Sequence, residues 1–110
     1  ITTRQFSGRA NPWIDREMRM RTWRERLFRL IDTGDAYAIF TGGMGTLVEL
    51  ACLSESIRRR LIPGKPAAVL GSMWKQMFRL LARESGIGRD LALNFVRSPE
   101  DALALFRRAL

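Results

Sequence analysis

The sequence predicts an α/β protein built on a doubly wound parallel sheet. Three observations predict it. Short apolar runs alternate with longer segments of helical period. The runs at residues 36–40 and 67–70 lack polar alternation, as strands buried on both faces require. A glycine-rich segment, residues 41–46, stands where the first of these strands hands over to a helix. The predicted order is α-β-α-β-α-β-α within one domain spanning residues 1–110, with no internal repeat.

Each element has its own signature. Residues 1–12 show no clear period; Ser7, Gly8, Asn11 and Pro12 mark a loop, and residues 1–6 fit the tail of a strand. From 13 to 32 the pattern turns helical, with Ile14, Met18, Trp23, Leu27, Leu30 and Ile31 at steps of three and four. Asn11 before Pro12 is the expected N-cap, and Gly34 lies where a C-terminal glycine belongs. Arg16, Arg19, Arg21, Arg24, Arg26 and Arg29 spread around this segment and form no single stripe. After the strand at 36–40, Leu47, Val48, Leu50, Ala51, Leu53 and Ile57 predict a helix to about residue 60. Pro63-Gly64-Lys65-Pro66 is a turn into the strand at 67–70. Gly71-Ser72 opens a helix with Met73, Trp74, Met77, Phe78, Leu80 and Leu81 on its apolar side, ended by Gly86 and Gly88. Residues 93–96 form a third strand. Ser98-Pro99-Glu100-Asp101 starts the last helix, with Ser as N-cap, Pro at the first position and acids in the first turn. Three parallel strands leave both edges open, so further strands are expected from a preceding segment or from another chain.

Composition narrows the chemistry. The chain has 110 residues, 46% hydrophobic and 27% charged, as a globular domain requires. One Cys excludes an intrachain disulfide. With no His, a zinc site of the usual nitrogen and sulfur ligands is excluded, and so is Ser–His or Cys–His catalysis. Carboxylates, Arg, hydroxyls and backbone amides are left to do the work. The net charge of +8, from 19 basic and 11 acidic residues, suggests an anionic partner: nucleic acid, an acidic membrane surface or a phosphorylated small molecule. Composition does not choose among them, and an Arg excess also follows from a GC-rich genome. The chain begins at Ile1 rather than Met, as expected of a fragment or a processed piece. It shows no signal-peptide pattern and no membrane-spanning run, so a cytoplasmic location is expected.

The chemistry concentrates at Phe40-Thr-Gly-Gly-Met-Gly-Thr-Leu-Val-Glu49. A strand ends and a glycine loop opens a helix, whose first N–H groups and positive dipole end attract an anion. Gly42, Gly43 and Gly45 suit a phosphate cradle or simply a tight βα turn. Thr46 adds a hydroxyl. The loop is neither a Walker loop nor a G-x-G-x-x-G fingerprint. Glu49 lies on the first turns of the helix. A carboxylate beside a phosphate cradle is electrostatically awkward unless it handles another part of the ligand, such as sugar hydroxyls or an attacking water.

Residues Gly42 to Glu49 resemble the P-G-G-x-G-T-x-x-E signature of the LOG (LONELY GUY) family, whose members were often labelled "possible lysine decarboxylase". Arg24-Glu25-Arg26-Leu27-Phe28-Arg29-Leu30 occupies the place of that family's E-R-K-x-x-M helix motif. The resemblance covers roughly residues 11–110. It implies a Rossmann-like fold, a homodimer without cofactor, and cleavage of a nucleoside 5′-monophosphate, AMP or an N6-modified AMP, to free base and ribose 5-phosphate. It also implies catalytic roles for Arg26 and Glu49 and phosphate binding by Gly42, Gly43, Gly45 and Thr46. The helix from about residue 13 and the helix after Thr46 are the expected dimer interface, with Trp23 and Leu27 offering apolar area. Thr41 stands where the family has Pro, and Leu27 where it has Lys. The family's N-terminal strands have no counterpart in this sequence.

Other readings compete. Some relatives of this fold carry a molybdenum cofactor, and the same glycine cradle serves such a carrier without turnover. Pyridoxal-phosphate decarboxylation needs a Schiff-base lysine, and neither Lys65 nor Lys75 lies in the motif. Nucleic-acid binding is disfavoured because the Arg side chains surround their helix and no nucleic-acid motif is present. Cys52 reads as a small buried residue. Trp13, Trp23 and Trp74 read as core or interface residues.

Overall fold

The computed structural model describes residues 1–5, 11–86 and 91–110. Ser7, Gly8 and Gly88, read above as loop and helix-end signals, lie outside the described residues. The chain divides into two units, Ile1–Gly34 and Asp35–Leu110.

In the first unit, strand β1 (Thr2–Thr3) pairs in parallel with β2 (Arg19–Met20), and helix α1 (Trp23–Thr33) packs on both. The helix is therefore about half the length expected from the periodicity at 13–32, and hydrogen bonding explains why. The Met18 carbonyl accepts the Thr2 N–H at 2.9 Å, and the Met20 carbonyl accepts the Arg4 N–H at 3.0 Å. A helix through this stretch would need those carbonyls for N–H groups four residues further on. Asn11 is not a helix cap; its Oδ1 accepts the Trp13 N–H at 2.9 Å in a side-chain-closed turn. The true cap is Thr22, whose Oγ1 accepts the Glu25 N–H at 3.1 Å. Thr22-x-x-Glu25 has the spacing of a capping box. Leu27 and Ile31 are buried; at 7% exposure Leu27 has no apolar area left to offer a partner. Trp13 is 89% exposed and belongs to no helix, so it is not a core residue.

The second unit contains β3 (Tyr37–Ile39), α2 (Met44–Arg58), β4 (Ala67–Leu70), α3 (Ser72–Ser85), β5 (Asn94–Val96) and α4 (Pro99–Ala109). The strands are parallel in the order β3-β4-β5, with Ile39 opposite Val69 and Val69 opposite Phe95. These three side chains share one face of the sheet. Val69 forms the core with Leu50 of α2, Trp74 and Phe78 of α3, and Leu91; Ile39 and Phe95 pack against that cluster. On the opposite face of β4, Ala68 and Leu70 are buried too, and α4 contacts β4 and β5. This double burial explains the unbroken apolar run of β4. The Ser54 hydroxyl, buried on α2, donates to the Leu91 carbonyl and ties that helix to the segment before β5.

Helix ends follow local rules. Ser98 Oγ accepts the Asp101 N–H at 3.1 Å, with Pro99 in the first turn. Gly86 closes α3 with φ +69° and donates its N–H to the Ala82 carbonyl at 3.1 Å. The fold is thus α/β, with four helices and a small parallel sheet among the described residues, compatible with a Rossmann-like architecture. A doubly wound sheet reverses its strand order at a switch point. The three strands here run in sequence order and contain no such reversal.

Candidate functional site

Ligands of open parallel sheets gather beyond the C-terminal ends of the strands. At that edge β3 leads into Thr41-Gly42-Gly43 and then α2, while β4 leads through Gly71 into α3. The two loops are in contact. Gly71 sits at φ +100°, and a Cβ placed on it would lie 2.7 Å from Thr41 Oγ1. Trp74, buried in the first turn of α3, donates its indole N–H to the Phe40 carbonyl at 2.9 Å. That bond fixes the end of β3 just where the glycine loop begins.

The glycines of the loop do different things. Gly42 is required by packing: a Cβ there would come within 2.8 Å of Thr46 Cβ and collide with the Thr46 hydroxyl. Thr46 therefore folds back over the loop. Gly43 is the N-cap of α2 and makes no side-chain cap, and Gly45 is the second residue of the helix. A Cβ on either meets nothing within 4 Å, and both are exposed. Packing among the described residues does not demand glycine at these two positions. At the N-cap glycine is a favoured residue, whereas Gly45, inside the first turn, is a poorer helix former than alanine, by up to about 1 kcal/mol. The first bond of α2 runs from the Leu47 N–H to the Gly43 carbonyl at 3.0 Å. The N–H groups of Met44, Gly45 and Thr46 precede it, at the positive end of the helix.

Glu49 is half-buried on α2, next to the fully buried Leu50. It follows Gly45 by four residues and Thr46 by three, so all three share a helix face. The rise along that face is about 5 to 6 Å, roughly one turn from the loop amides. The structure thus brings Gly42, Gly43, Gly45, Thr46 and Glu49 together on one loop and the helix it opens. Arg26 belongs to the other unit. There it is half-buried on α1, and its Nε donates to the Ile1 carbonyl at 3.0 Å, anchoring the start of β1. That structural duty was not foreseen from the sequence.

Thr41, Gly71 and Trp74 were not singled out as site residues, yet they position the loop. The strand-Gly-Ser-helix pattern at 67–73 was the available signal for Gly71. Cys52 is half-buried on α2. Among the described residues there is no cluster of three or more His, Cys, Asp or Glu side chains that could hold a metal ion, and no helix long and apolar enough to cross a membrane. At the far end of α2, Glu55 bonds Arg59 and also Arg58, the latter at 3.0 Å. These two guanidinium groups, Arg59 first, hold the Glu55 carboxyl below its usual range.

No protein-family model, curated protein or solved structure matches the chain.

Proposed function

We propose that the protein is a nucleoside 5′-monophosphate phosphoribohydrolase, cleaving the N-glycosidic bond of AMP or an N6-modified AMP. The observation that carries the reading is the pair Gly43 and Gly45 at the N-terminus of α2, where an added Cβ meets no atom of the described residues within 4 Å. Open glycines at a helix N-terminus suit close approach of a phosphate to backbone N–H groups. In this reading the phosphate is held by the N–H groups of residues 43–46, with the Thr46 hydroxyl beside it. Glu49, one turn further along, faces the ribose.

The chemistry then follows from charge. As the bond from C1′ to the base nitrogen breaks, its electron pair leaves with the base and the sugar gains oxocarbenium character. The Glu49 carboxylate stabilises that positive charge more in the transition state than in the ground state. It also orients ribose hydroxyls or the water whose oxygen attacks C1′. The water supplies the oxygen of ribose 5-phosphate and a proton that leaves with the base. Arg26 enters from the motif resemblance alone, as a cation for the nucleotide and for negative charge on the departing base.

Three further elements complete the proposal. The small parallel sheet is part of a larger doubly wound, Rossmann-like sheet. The protein acts as a homodimer without cofactor, and exposed apolar side chains such as Trp13, Phe28 and Met44 supply contact area. It works in the cytoplasm, where nucleotide substrates and a free Cys52 thiol are at home. Incubation with AMP and with an N6-substituted AMP, followed by chromatography, tests the activity. Release of free base with an equal amount of ribose 5-phosphate is expected. Nucleotide binding without any release would favour a cofactor carrier instead.

A further inference from the structure

Helix α3 starts beside the glycine loop and runs back along the sheet, antiparallel to the strands it joins. Along its length lies a cavity of about 740 Å³. Its apolar wall is made by Phe78, Leu91 and Phe95, with the two rings 6.5 Å apart and inclined at 46°. Its other wall carries Lys75, Arg79 and Arg83. These cations are spaced by four residues each, so they form one stripe about 12 Å long on the helix. Arg83 pairs with Glu84 at 3.4 Å on the exposed surface. Among the described residues, Lys75 and Arg79 have no acidic partner, and no carboxylate lines the cavity.

Apolar and cationic walls facing one space favour one ligand chemistry. A neutral apolar molecule would gain nothing from the cations of α3, which are half-buried (Lys75) or exposed (Arg79, Arg83). A small inorganic anion would make no contact with the half-buried ring of Phe95. We infer that this cavity is a second binding site, separate from the glycine loop, for a small amphipathic anion: one carboxylate or phosphate head on an apolar body. The head sits between Lys75 and Arg79, where Arg79 offers paired donors. The body lies on Phe78, Leu91 and Phe95. The volume falls within the range of small-molecule sites. The assignment stands on α3 and β5 and does not depend on the activity proposed for Glu49.

Decanoate, below its micelle-forming range, is a suitable probe, titrated into the protein by calorimetry. Saturable binding near one per chain is expected, with decanol and decyltrimethylammonium at least tenfold weaker. Arg79 is exposed, so Arg79→Gln should keep the fold by circular dichroism and weaken decanoate about fivefold, the scale of one exposed charge contact. Lys75→Gln with Arg79→Gln should weaken it at least tenfold. Arg24→Gln, which removes a cation elsewhere, should leave binding unchanged. Equal affinity for decanol, no saturable binding, or a double variant that binds like the parent would overturn the assignment. So would binding to anionic lipid vesicles with none to free decanoate, since that marks a membrane surface rather than a small-molecule site.

Discussion

Replacing Gly71 by Ala tests how the two loops at the C-terminal edge of the sheet are joined. The methyl group meets two obstacles. Gly71 holds φ +100° and ψ 140°, a region that L-residues rarely adopt. Forcing a side-chain-bearing residue there costs about 1–3 kcal/mol. The new Cβ would also lie 2.7 Å from Thr41 Oγ1. Thr41 can turn its hydroxyl away, so this overpacking adds on the order of 1 kcal/mol. The sum, about 2–4 kcal/mol, is a large part of the ~5–15 kcal/mol that stabilises a typical domain. Urea titration followed by far-UV circular dichroism should show a lower midpoint with unchanged slope. Thr41→Ala removes the obstructing oxygen, so the double variant should regain about 1 kcal/mol and keep the backbone penalty. A Gly71→Ala variant within about 0.5 kcal/mol of the parent would refute the reasoning. So would a double variant with no recovery.

Three other outcomes are expected. Gly45→Ala fills open space in the first turn of α2, so stability should rise by about 0.5–1 kcal/mol while AMP affinity falls several-fold. Unchanged affinity, measured by calorimetry, would remove the ligand role of that glycine. Thr22→Ala deletes the cap of α1 and should cost about 1 kcal/mol, whereas Asn11→Ala should leave helix content by circular dichroism unaltered. For Glu55, the carboxyl is held below its usual range, so its contribution is present above the unfolded-state pKa. That contribution is lost as pH falls through the lowered folded value. Melting temperature should therefore drop less steeply on acidification from pH 5 downward in Glu55→Gln than in the parent; parallel curves would contradict the pairing with Arg59 and Arg58.

Where the sequence was read correctly, the determining interactions are local. Ala67–Leu70 was legible because burial on both faces leaves an apolar run with no alternation. The start of α4 was legible because Ser98, Pro99, Glu100 and Asp101 act within a single turn. The stretch before α1 was misread because its apolar spacing imitates a helix. Its carbonyls are claimed by Thr2 and Arg4, about 16 residues away, and no local pattern reveals that. The Thr22-x-x-Glu25 spacing belongs to the true start and was passed over in favour of Asn11 and Pro12. The placement of the glycine loop and Glu49 on one loop and helix was legible because one strand end and one helix start carry them. The approach of Gly71 to Thr41 was not, because it joins loops 30 residues apart. Arg26 was read by motif position, and its bond to the Ile1 carbonyl depends on strand pairing that the sequence does not display.

The most direct test of the proposed activity is the rate at which Glu49→Gln releases ribose 5-phosphate, compared with the parent protein at saturating AMP or N6-substituted AMP. The substitution keeps the side-chain shape and removes the negative charge. Loss of one such electrostatic contact typically lowers kcat by about 10²–10³. The account predicts a fall of that size with nucleotide affinity changed by less than about threefold, since in the proposed reading the phosphate contacts the loop amides and not Glu49. A Glu49→Gln protein as active as the parent, or a parent that binds nucleotide and never releases base, would contradict it.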